Sequence, residues 1–425
     1  MEEFTYRLIS FCGFFLISGI SWITGSRTSI KKETLIGSFF LAWALGALIF
    51  SFPGSRNALQ WINDILVSLL SASFKGAVFL FGPLALSPGQ TLPDGTPSIG
   101  FILAFQIFPS VIFFSALLGG LYYLGIMQKV VHLFSRIFHR TLSLSGAESL
   151  AASANLFVGI ESGITVRPYL SKMTRSELLT LMTCMMATVA STVMGIYIIA
   201  LHKTFPNIAG HLVSASLISI PCAILTSKLF HPELAKPETL GKLAENEKES
   251  SGQKGLMTAF VEGGTQGTRM ALGIGTVLII VLGLEAIFDL ILSLLPKFYG
   301  QPISTIRLFG WLTYPFTILL GLKPEEWEVA SKILGSRFIE TEVSAYFTLT
   351  SIQATEAAIS LRSMTIMTYA LCGFVHISSM GIFVGGLYSL APSRANEISI
   401  IGLQALWTSF LATLLTGCIA GCLAN

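Results

Sequence analysis

The sequence contains few charged residues and only one hydrophilic stretch of any length. Of 425 residues, 26 are Lys or Arg and 23 are Asp or Glu, so charged residues make up 12%, whereas about 25% is usual in soluble proteins. A soluble globular protein needs more charge on its surface, and a disordered chain is polar throughout. With 52% apolar residues and a mean hydropathy of +0.73, the composition indicates an integral membrane protein.

The sequence also lacks the motifs of several functional classes. Its six cysteines show none of the paired spacings that are typical of zinc sites or disulfide frameworks. HExxH, GxSxG and aspartate-rich diphosphate motifs are absent, which argues against a membrane enzyme that uses its acidic residues and histidine for acid-base chemistry. The net charge of +3 is too small to suggest nucleic acid binding.

Apolar runs of about 20 residues, the length that crosses the hydrocarbon core of a bilayer, predict eight membrane spans. The predicted spans are 5–24, 34–52, 100–125, 177–201, 208–230, 270–296, 363–391 and 398–423. The first span begins with Glu2 and Glu3 and is followed by no small-residue cleavage site, so we expect it to remain in the mature protein.

Lys and Arg are concentrated in alternate connections, after the first, third, fifth and seventh spans. Because cytoplasmic loops are enriched in these residues, we expect both termini to lie outside the cytoplasm. The hydrophilic tract 233–254 is then a cytoplasmic loop. Residues 57–75 and 126–140 carry apolar side chains on one helical face, a pattern that predicts helices in the membrane interface.

Two further stretches resemble each other, and each is predicted to form a hairpin. Each is too short to cross the membrane and return as two full helices. Residues 148–161 (ESLAASANLFVGIE) and 326–340 (EWEVASKILGSRFIE) share an acidic start, an Ala-Ser pair and a final Ile-Glu, and similar motifs recur in the spans that follow them. On the orientation above, the two copies are inverted. Inverted repeats with broken, polar-tipped segments are the architecture by which many secondary transporters build a site near the bilayer midplane.

The hairpins place carboxyl groups at membrane depth: Glu161 in the first, Glu340 and Glu342 in the second. A carboxylate near the bilayer centre costs about 2.5 to 3.5 kcal/mol on insertion scales, so it must face protein, water or a ligand. Irregular backbone at that depth is tolerated where it lines a cavity. We therefore expect Glu161 and Glu342 to face each other across a shared cavity, although a bond to a neighbouring helix would also satisfy such a group.

The fourth and seventh spans carry hydroxyl and imidazole groups where an unbroken span would be apolar. These groups belong to Thr188, Ser191, Thr192, His376, Ser378 and Ser379. A single hydroxyl in an apolar helix most often bonds to the preceding turn. As a cluster, they predict helices that open at midspan and offer carbonyl groups to a cation, with the Asn155 amide nearby.

Several segments together resemble the concentrative nucleoside transporter family. They are YYLGIMQ (122–128), SGAESLAASANLFVG (145–159), VRPYLSKMTRSEL (166–178), GSRFIETEVSAY (335–346) and TYALCGFVHISSMGIFVGGLYSLAP (368–392). The resemblance implies an all-α inner-membrane homotrimer. Each protomer would hold its own site between two re-entrant hairpins and two unwound helices, and it would import nucleosides by an elevator-like movement that a sodium or proton gradient drives.

The resemblance also implies the site residues. The solute would contact Glu161, Thr341, Glu342, Phe374, His376, Ser379 and Val193. A sodium ion would be held by Asn155 and Thr188 and by the carbonyl groups of Val189 and Val193. No other cofactor is implied. The implied organisation is a scaffold over residues 1–99 and a transporter core over 100–425, with hairpins at about 145–172 and 326–350 and unwound spans at 177–201 and 363–391.

The sequence departs from the family pattern at three polar positions. The Gln-Thr-Glu of the first hairpin is Gly159-Ile160-Glu161, the Asn-Glu-Phe of the second is Thr341-Glu342-Val343, and an Asn of the seventh span is His376. Sites that bind a ligand through hydrogen bonds discriminate strongly through those bonds. A nucleobase, a modified nucleoside or a sugar-like solute therefore remains the alternative, and His376 is read as a solute donor, a carrier of the driving proton or a neutral structural group. A structural or sensory protein, which would bind without net flux, is a further alternative.

Overall fold

The computed structural model describes most of the chain. The described residues are 2–28, 31–86, 89–100, 102–157, 159, 162–190, 193–195, 197–198, 205, 207–241, 255–297, 300, 302–353 and 359–424. Their regular secondary structure is helical, apart from one β-bridge between Thr91 and Pro97. The predicted all-α class is confirmed.

The helices of the first half are α1 (Glu2–Thr24), α2 (Lys32–Ser51), α3 (Pro53–Phe81), α4 (Leu103–Tyr123), α5 (Ile126–Leu142), α6 (Gly146–Ala154), α7 (Ser162–Thr165), α8 (Arg167–Leu170), α9 (Arg175–Ala187) and α10 (Ile208–Phe230). Those of the second half are α11 (Leu256–Ser293), α12 (Thr305–Leu319), α13 (Trp327–Ile339), α14 (Glu342–Gln353), α15 (Leu361–Leu371), α16 (Ile377–Leu390) and α17 (Ala395–Leu423). Each half contains a pair of short segments, an interrupted helix and then a long apolar helix.

Seven described helical stretches are long and apolar enough to cross a membrane: Glu3–Thr24, Lys32–Ser51, Asp64–Ala85, Leu103–Tyr123, Ile208–Phe230, Leu256–Ser293 and Pro392–Leu423. Six of them coincide with predicted spans. The helix at the sixth predicted span (270–296) is longer than expected, because α11 begins at Leu256. The glycines and polar residues of 262–269 lower the local hydropathy there, although the segment is helical.

Helix α3 also differs from its prediction. It extends from Pro53 to Phe81, beyond the interfacial helix expected over 57–75, and a 3-10 turn continues it over Gly82–Ala85. The combined stretch Asp64–Ala85 is one of the seven. The placement of 57–75 in the interface therefore stays a prediction. Helix α5 has the expected amphipathic pattern, because its buried residues recur every three or four positions: Met127, Val131, Ser135, Phe138 and Leu142. Of the tract 233–254, residues 242–254 lie outside the described residues.

Helices α10 and α17 form the centre of the molecule. In the apolar 18-residue stretch of each helix, 83% of the residues of α10 are buried, compared with 12% of those of α11. Ser219 of α10 and Thr416 of α17 bring their hydroxyl oxygens to 3.1 Å in this interior. The two short-segment pairs and the two interrupted helices pack around this centre, while α11 lies at the periphery against α4.

A buried ionic group fixes the base of the first pair of short segments. Lys228, at the end of α10, forms an ion pair with Glu148 of α6 and donates to the Ser176 hydroxyl of α9 at 2.9 Å. Its ammonium group also lies 3.8 Å from Glu233. Because an uncompensated buried charge is costly, these partners lock the three helices together at this end.

Glycine allows α11 to approach α4 closely. A Cβ atom on Gly263 would lie 2.5 Å from the carbonyl oxygen of Ser115, and one on Gly267 would lie 2.8 Å from the Cα of Ile112. In membranes, small residues four apart let helix backbones touch, and van der Waals packing then drives their association. The polar, glycine-rich start of α11 is therefore a packing surface for α4.

We predict that Gly263→Ala destabilises the protein by about 1 to 3 kcal/mol, because the new methyl group overlaps backbone that cannot move away alone. The matched control is Gly283→Ala on the same helix, where no heavy atom lies within 4 Å of the added Cβ. Thermal unfolding of the purified proteins in detergent measures the difference. Equal melting temperatures for the two variants would contradict the close packing.

Candidate functional site

The second candidate hairpin turns at Glu340 and Thr341, between α13 and α14. Glu342 is the first residue of α14, and the backbone N–H of Ser344 donates to the Thr341 hydroxyl at 3.3 Å. The Glu342 side chain is only 2% exposed. Placing a carboxylate at a helix N-terminus is favourable, because the unpaired amide groups there carry partial positive charge.

The two carboxylate oxygens of Glu342 have different environments. The Tyr197 hydroxyl donates to Oε1 at 2.7 Å. Nε2 of His376 lies 2.7 Å from Oε2, and no other described donor contacts this oxygen. Oε2 is therefore a buried acceptor that is not fully satisfied.

His376 is held as a neutral imidazole. It caps α16, and its Nδ1 accepts a hydrogen bond from the backbone N–H of Ser379 at 3.1 Å. An imidazole nitrogen that accepts carries no proton, so the single ring proton is on Nε2, which faces Glu342. Which of the three roles of His376 applies, solute donor, proton carrier or neutral structural group, stays a prediction.

The helix break that presents His376 depends on Gly373. The residue has φ +152°, and a Cβ atom there would lie 2.7 Å from the carbonyl oxygen of Met186. A larger residue would push the break away from the end of α9. Thr188 follows directly after α9, so the breaks in the fourth and seventh spans lie side by side.

Carbonyl groups at the second break already have donors. The Ser379 hydroxyl lies close to the carbonyl oxygen of Phe374 and 2.8 Å from that of His376. Arg337 of α13, which is fully buried, donates to the carbonyl oxygens of Ala370 at 2.6 Å and Gly373 at 2.8 Å. The second break therefore offers fewer free carbonyl groups to a cation than the sequence suggested.

The first break brings together two predicted cation ligands. Thr188 has extended backbone, and its hydroxyl lies 3.1 Å from the carbonyl oxygen of Asn155. The Ser162 hydroxyl donates to Oδ1 of Asn155 at 2.7 Å, while Nδ2 of that side chain is buried without a partner. Val189 and Val193 are buried beside Thr188, on either side of a short undescribed stretch.

The predicted site residues thus form two described groups. Glu342 and His376 form one, joined by Tyr197, which was not predicted, and with Phe374, Ser379 and Thr341 close to them in the chain. Asn155 and Thr188 form the other. Glu161, Ser191 and Thr192 lie outside the described residues, so the predicted opposition of Glu161 and Glu342 stays a prediction. Together, the described groups provide a carboxylate, an imidazole and the amide and hydroxyl groups of Asn155 and Thr188 at two adjacent helix breaks.

Two residues of this region were not predicted from the sequence. Tyr197 looked like an ordinary aromatic residue of an apolar span. Arg337 lies in the segment GSRFIETEVSAY (335–346), but no role was predicted for it. A single Arg inside an apolar hairpin is a signal in itself, because a buried guanidinium needs several acceptors.

Comparison with known proteins identifies the family of the chain. Three family models match in chain order: the Na+ dependent nucleoside transporter N-terminus over residues 12–84, nucleoside recognition over 104–204, and the Na+ dependent nucleoside transporter C-terminus over 211–421. Together they cover most of the chain.

Individual relatives agree with these matches. An uncharacterized transporter of Haemophilus influenzae is 32% identical over 94% of this chain and 93% of its own length. Solute carrier family 28 member 3 of Homo sapiens is 31% identical over 99% of this chain and 60% of its own length. Sodium/nucleoside cotransporter 1 of Sus scrofa is 32% identical over 90% of this chain and 58% of its own length. The chain thus spans about 60% of the length of these mammalian relatives.

Solved structures show the same fold. CNTnw in an inward-facing substrate-bound state is 29% identical and superimposes with a TM-score of 0.87. The superposition covers 98% of this chain and 99% of the CNTnw chain. A variant of CNTnw in an outward-facing state gives 28% identity and a TM-score of 0.88, with 99% and 98% of the two chains covered.

We predict that Arg337→Met lowers the thermal stability of the protein and weakens solute binding, because the carbonyl groups of Ala370 and Gly373 lose their donor. A lost hydrogen bond to a charged group costs about 1.5 to 3 kcal/mol. Arg337→Lys keeps the charge but lacks the planar fork, and should recover only part of the loss. Melting curves with and without solute measure both effects, and a wild-type curve for Arg337→Met would contradict this role.

Proposed function

We infer that this chain, which belongs to the Na+ dependent nucleoside transporter family, is a sodium-coupled importer of nucleosides. It is a multi-pass protein of the plasma membrane and a transporter rather than an enzyme. The family and the fold do not favour the alternative of a different polar solute.

The observation that carries the proposed site is the incomplete bonding of Glu342. Besides His376, Oε2 has no described donor, and a carboxylate oxygen can accept two bonds. A hydrogen bond from a ligand hydroxyl to this charged group contributes about 1.5 to 3 kcal/mol. A nucleoside brings ribose hydroxyl groups. We propose that a ribose hydroxyl donates to Oε2 of Glu342, while Tyr197 and His376 hold the carboxylate in place.

The neighbouring groups suit the rest of such a ligand. The Phe374 ring is partly exposed beside the break and offers an apolar contact. We propose that Phe374, His376, Ser379, Thr341 and Val193 line the solute site with Glu161 on the opposite side. Gly159 and Ile160 cannot bond a base through side chains, so base selection should rest more on shape than on hydrogen bonds.

The residues at the first break fit a sodium ion. Sodium is a hard cation, and hard cations take oxygen ligands. The amide orientation of Asn155 is set by its hydrogen bonds, and turning it would present oxygen where Nδ2 now has no partner. We propose that Asn155, Thr188 and the carbonyl groups of Val189 and Val193 hold the ion, in preference to proton coupling at this position.

Coupling follows from the contact between the two breaks. Sodium at Asn155 and Thr188 would order the end of α9, against which the Gly373 segment packs, and that segment presents His376 to Glu342. Each ligand therefore raises the affinity for the other by the same factor.

We also propose that the protein forms a homotrimer in the lipid bilayer. The peripheral helix α11 exposes large apolar residues along its length, such as Ile279, Ile287, Phe288 and Leu290. This surface is suited to lipid and to a second copy of the chain. Cross-linking in native membranes would report the assembly.

We predict that Glu342→Gln weakens nucleoside uptake about 10- to 100-fold, because the charge-assisted bond to a ribose hydroxyl is lost. The measurement is sodium-driven uptake of a labelled nucleoside mixture into proteoliposomes. Glu328→Gln is the matched control, since Glu328 lies on the outer side of the same hairpin and pairs with Lys332 at 2.7 Å. If Glu342→Gln transported like the control, the proposed site would be wrong.

A second prediction concerns Asn155→Ala. Removing an amide ligand should raise the sodium concentration needed for half-maximal uptake and weaken nucleoside binding at subsaturating sodium. The factor by which sodium raises nucleoside affinity should equal the factor by which nucleoside raises sodium affinity, since linkage is reciprocal. Calorimetric titration of each ligand in the presence and absence of the other provides both numbers. A loss of nucleoside affinity with unchanged sodium dependence would place the ion elsewhere.

A further inference from the structure

The outward face of α5 carries charge of one sign only. The helix contains Lys129, Arg136 and Arg140 and no acidic residue. These three side chains, called the cationic strip below, are exposed, and the ion pairs among the described residues include none of them. They also have no role in the site described above. The strip is therefore a positive surface that the described ion pairs do not neutralise.

An apolar strip runs beside the cationic strip. At 3.6 residues per turn, the three cations lie within about 40° of one another around the helix axis, and Ile126, Leu133 and Ile137 occupy the adjacent sector. These three apolar side chains are 46%, 56% and 39% exposed. The buried residues of α5 lie on the opposite side of the helix. Cations beside large exposed apolar side chains are typical of a helix that lies on a membrane surface.

The connection to α4 places the start of α5 at the membrane. Helix α4 is one of the seven stretches that are able to span the bilayer, and it ends at Tyr123. Helix α5 begins at Ile126, after a turn in which Gly125 has φ +74°. Tyr123 and Leu124 at this turn are 43% and 55% exposed. The apolar strip of α5 therefore begins next to exposed apolar residues at the end of a membrane-spanning helix.

A second group of cations lies at the far end of α5. Lys31 and Lys32, at the start of α2, are both exposed. A Cβ atom on Gly37 would overlap the carbonyl oxygen of Thr141, so the backbones of the two helices touch there. Lys31 also borders the same small crevice as Ser143, the residue after α5. The fold thus brings the basic start of α2 to the basic end of α5, although the two lie far apart in the sequence.

We propose that the outward face of α5 binds anionic phospholipid of the cytoplasmic leaflet. The phosphate groups pair with the cationic strip and with the two lysines of α2, and the acyl chains lie along the apolar strip. Glu33, the acidic residue in the first turn of α2, offsets at most one of these positive charges. The distribution of Lys and Arg predicts that this connection is cytoplasmic, where anionic lipids attract such residues. A soluble phosphate would use the cations alone, whereas a lipid uses both strips.

The opposite face of α5 joins this surface to the first hairpin. Val131 lies in one buried cluster with Leu150, Ala151 and Ala154 of α6, and the two helices pack together. Ala154 precedes Asn155, the proposed sodium ligand. Bound lipid holds α5 at the membrane surface and so supports the helix on which the hairpin rests. This link to transport rests on the proposed function, whereas lipid binding itself does not.

Native mass spectrometry of the purified protein in non-ionic detergent tests the binding. Phosphatidylglycerol should bind at least about tenfold more tightly than phosphatidylcholine, because each cation near an anionic surface contributes about fivefold. Neutralising the cationic strip should remove this preference and weaken phosphatidylglycerol binding at least about tenfold. The variant is Lys129→Gln/Arg136→Gln/Arg140→Gln.

Two further variants control for charge and for fold. One removes three exposed cations that lie on the same predicted side of the membrane but outside α5, and it should bind phosphatidylglycerol within about twofold of wild type. The other keeps every charge of the cationic strip and should also bind like wild type. The two variants are Arg167→Gln/Arg175→Gln/Lys236→Gln and Lys129→Arg/Arg136→Lys/Arg140→Lys.

Several results of the titration would overturn the proposal. Equal losses in the two neutralised proteins, or no loss in either, would show that α5 does not hold the lipid. Competition by equimolar glycerol phosphate would show a site for anions alone. A lower oligomer mass after neutralisation of the cationic strip would identify a second copy of the chain as the occupant.

Reconstitution tests the link to transport. Sodium-driven nucleoside uptake by the wild type should be at least about threefold faster in vesicles with about 30% phosphatidylglycerol in phosphatidylcholine than in phosphatidylcholine alone. The protein with a neutralised cationic strip should change less than about 1.5-fold, and an equal lipid dependence would refute the link. Uptake that failed in every vesicle would count against the proposed function, and mass spectrometry would still decide whether α5 binds the lipid.

Discussion

Backbone groups freed by a helix break inside a membrane must find partners within the protein, and this constraint governs the site. At the break between α15 and α16, Arg337 and Ser379 supply the donors, and Gly373 permits the close approach to α9. The charge of Arg337 is in turn accommodated by carbonyl groups at the end of α15, where the helix dipole is negative. The hairpin and the broken helix therefore fix each other, and Glu342 is positioned by that mutual support.

The two breaks have become chemically different. The second is closed by Arg337 and Ser379 and presents side chains, the Glu342 carboxylate and the His376 imidazole. The first retains an amide without a partner at Asn155. The proposed division between a solute end and an ion end rests on this difference in which groups already have donors, even though both ends derive from similar elements.

Much of the fold was predictable because the bilayer imposes a simple rule on length and polarity. The bounds of α10 were predicted to the residue, and those of α1, α2 and α17 closely, since each is a continuous apolar run. The start of α11 was missed because hydropathy measures affinity for lipid, whereas Gly263 and Gly267 pack against another helix. Glu342 and His376 could be found from polarity at membrane depth. Tyr197 could not, because its role depends on a partner 145 residues away.

The hydrogen bond from Tyr197 to Glu342 joins one half of the chain to the other. Tyr197 belongs to the first copy of the repeat and Glu342 to the second, so the proposed solute site needs both halves of the chain. A gene divided within the hydrophilic tract 233–254 would therefore yield two fragments that are each inactive. Function would return only after the fragments had reassembled in the membrane.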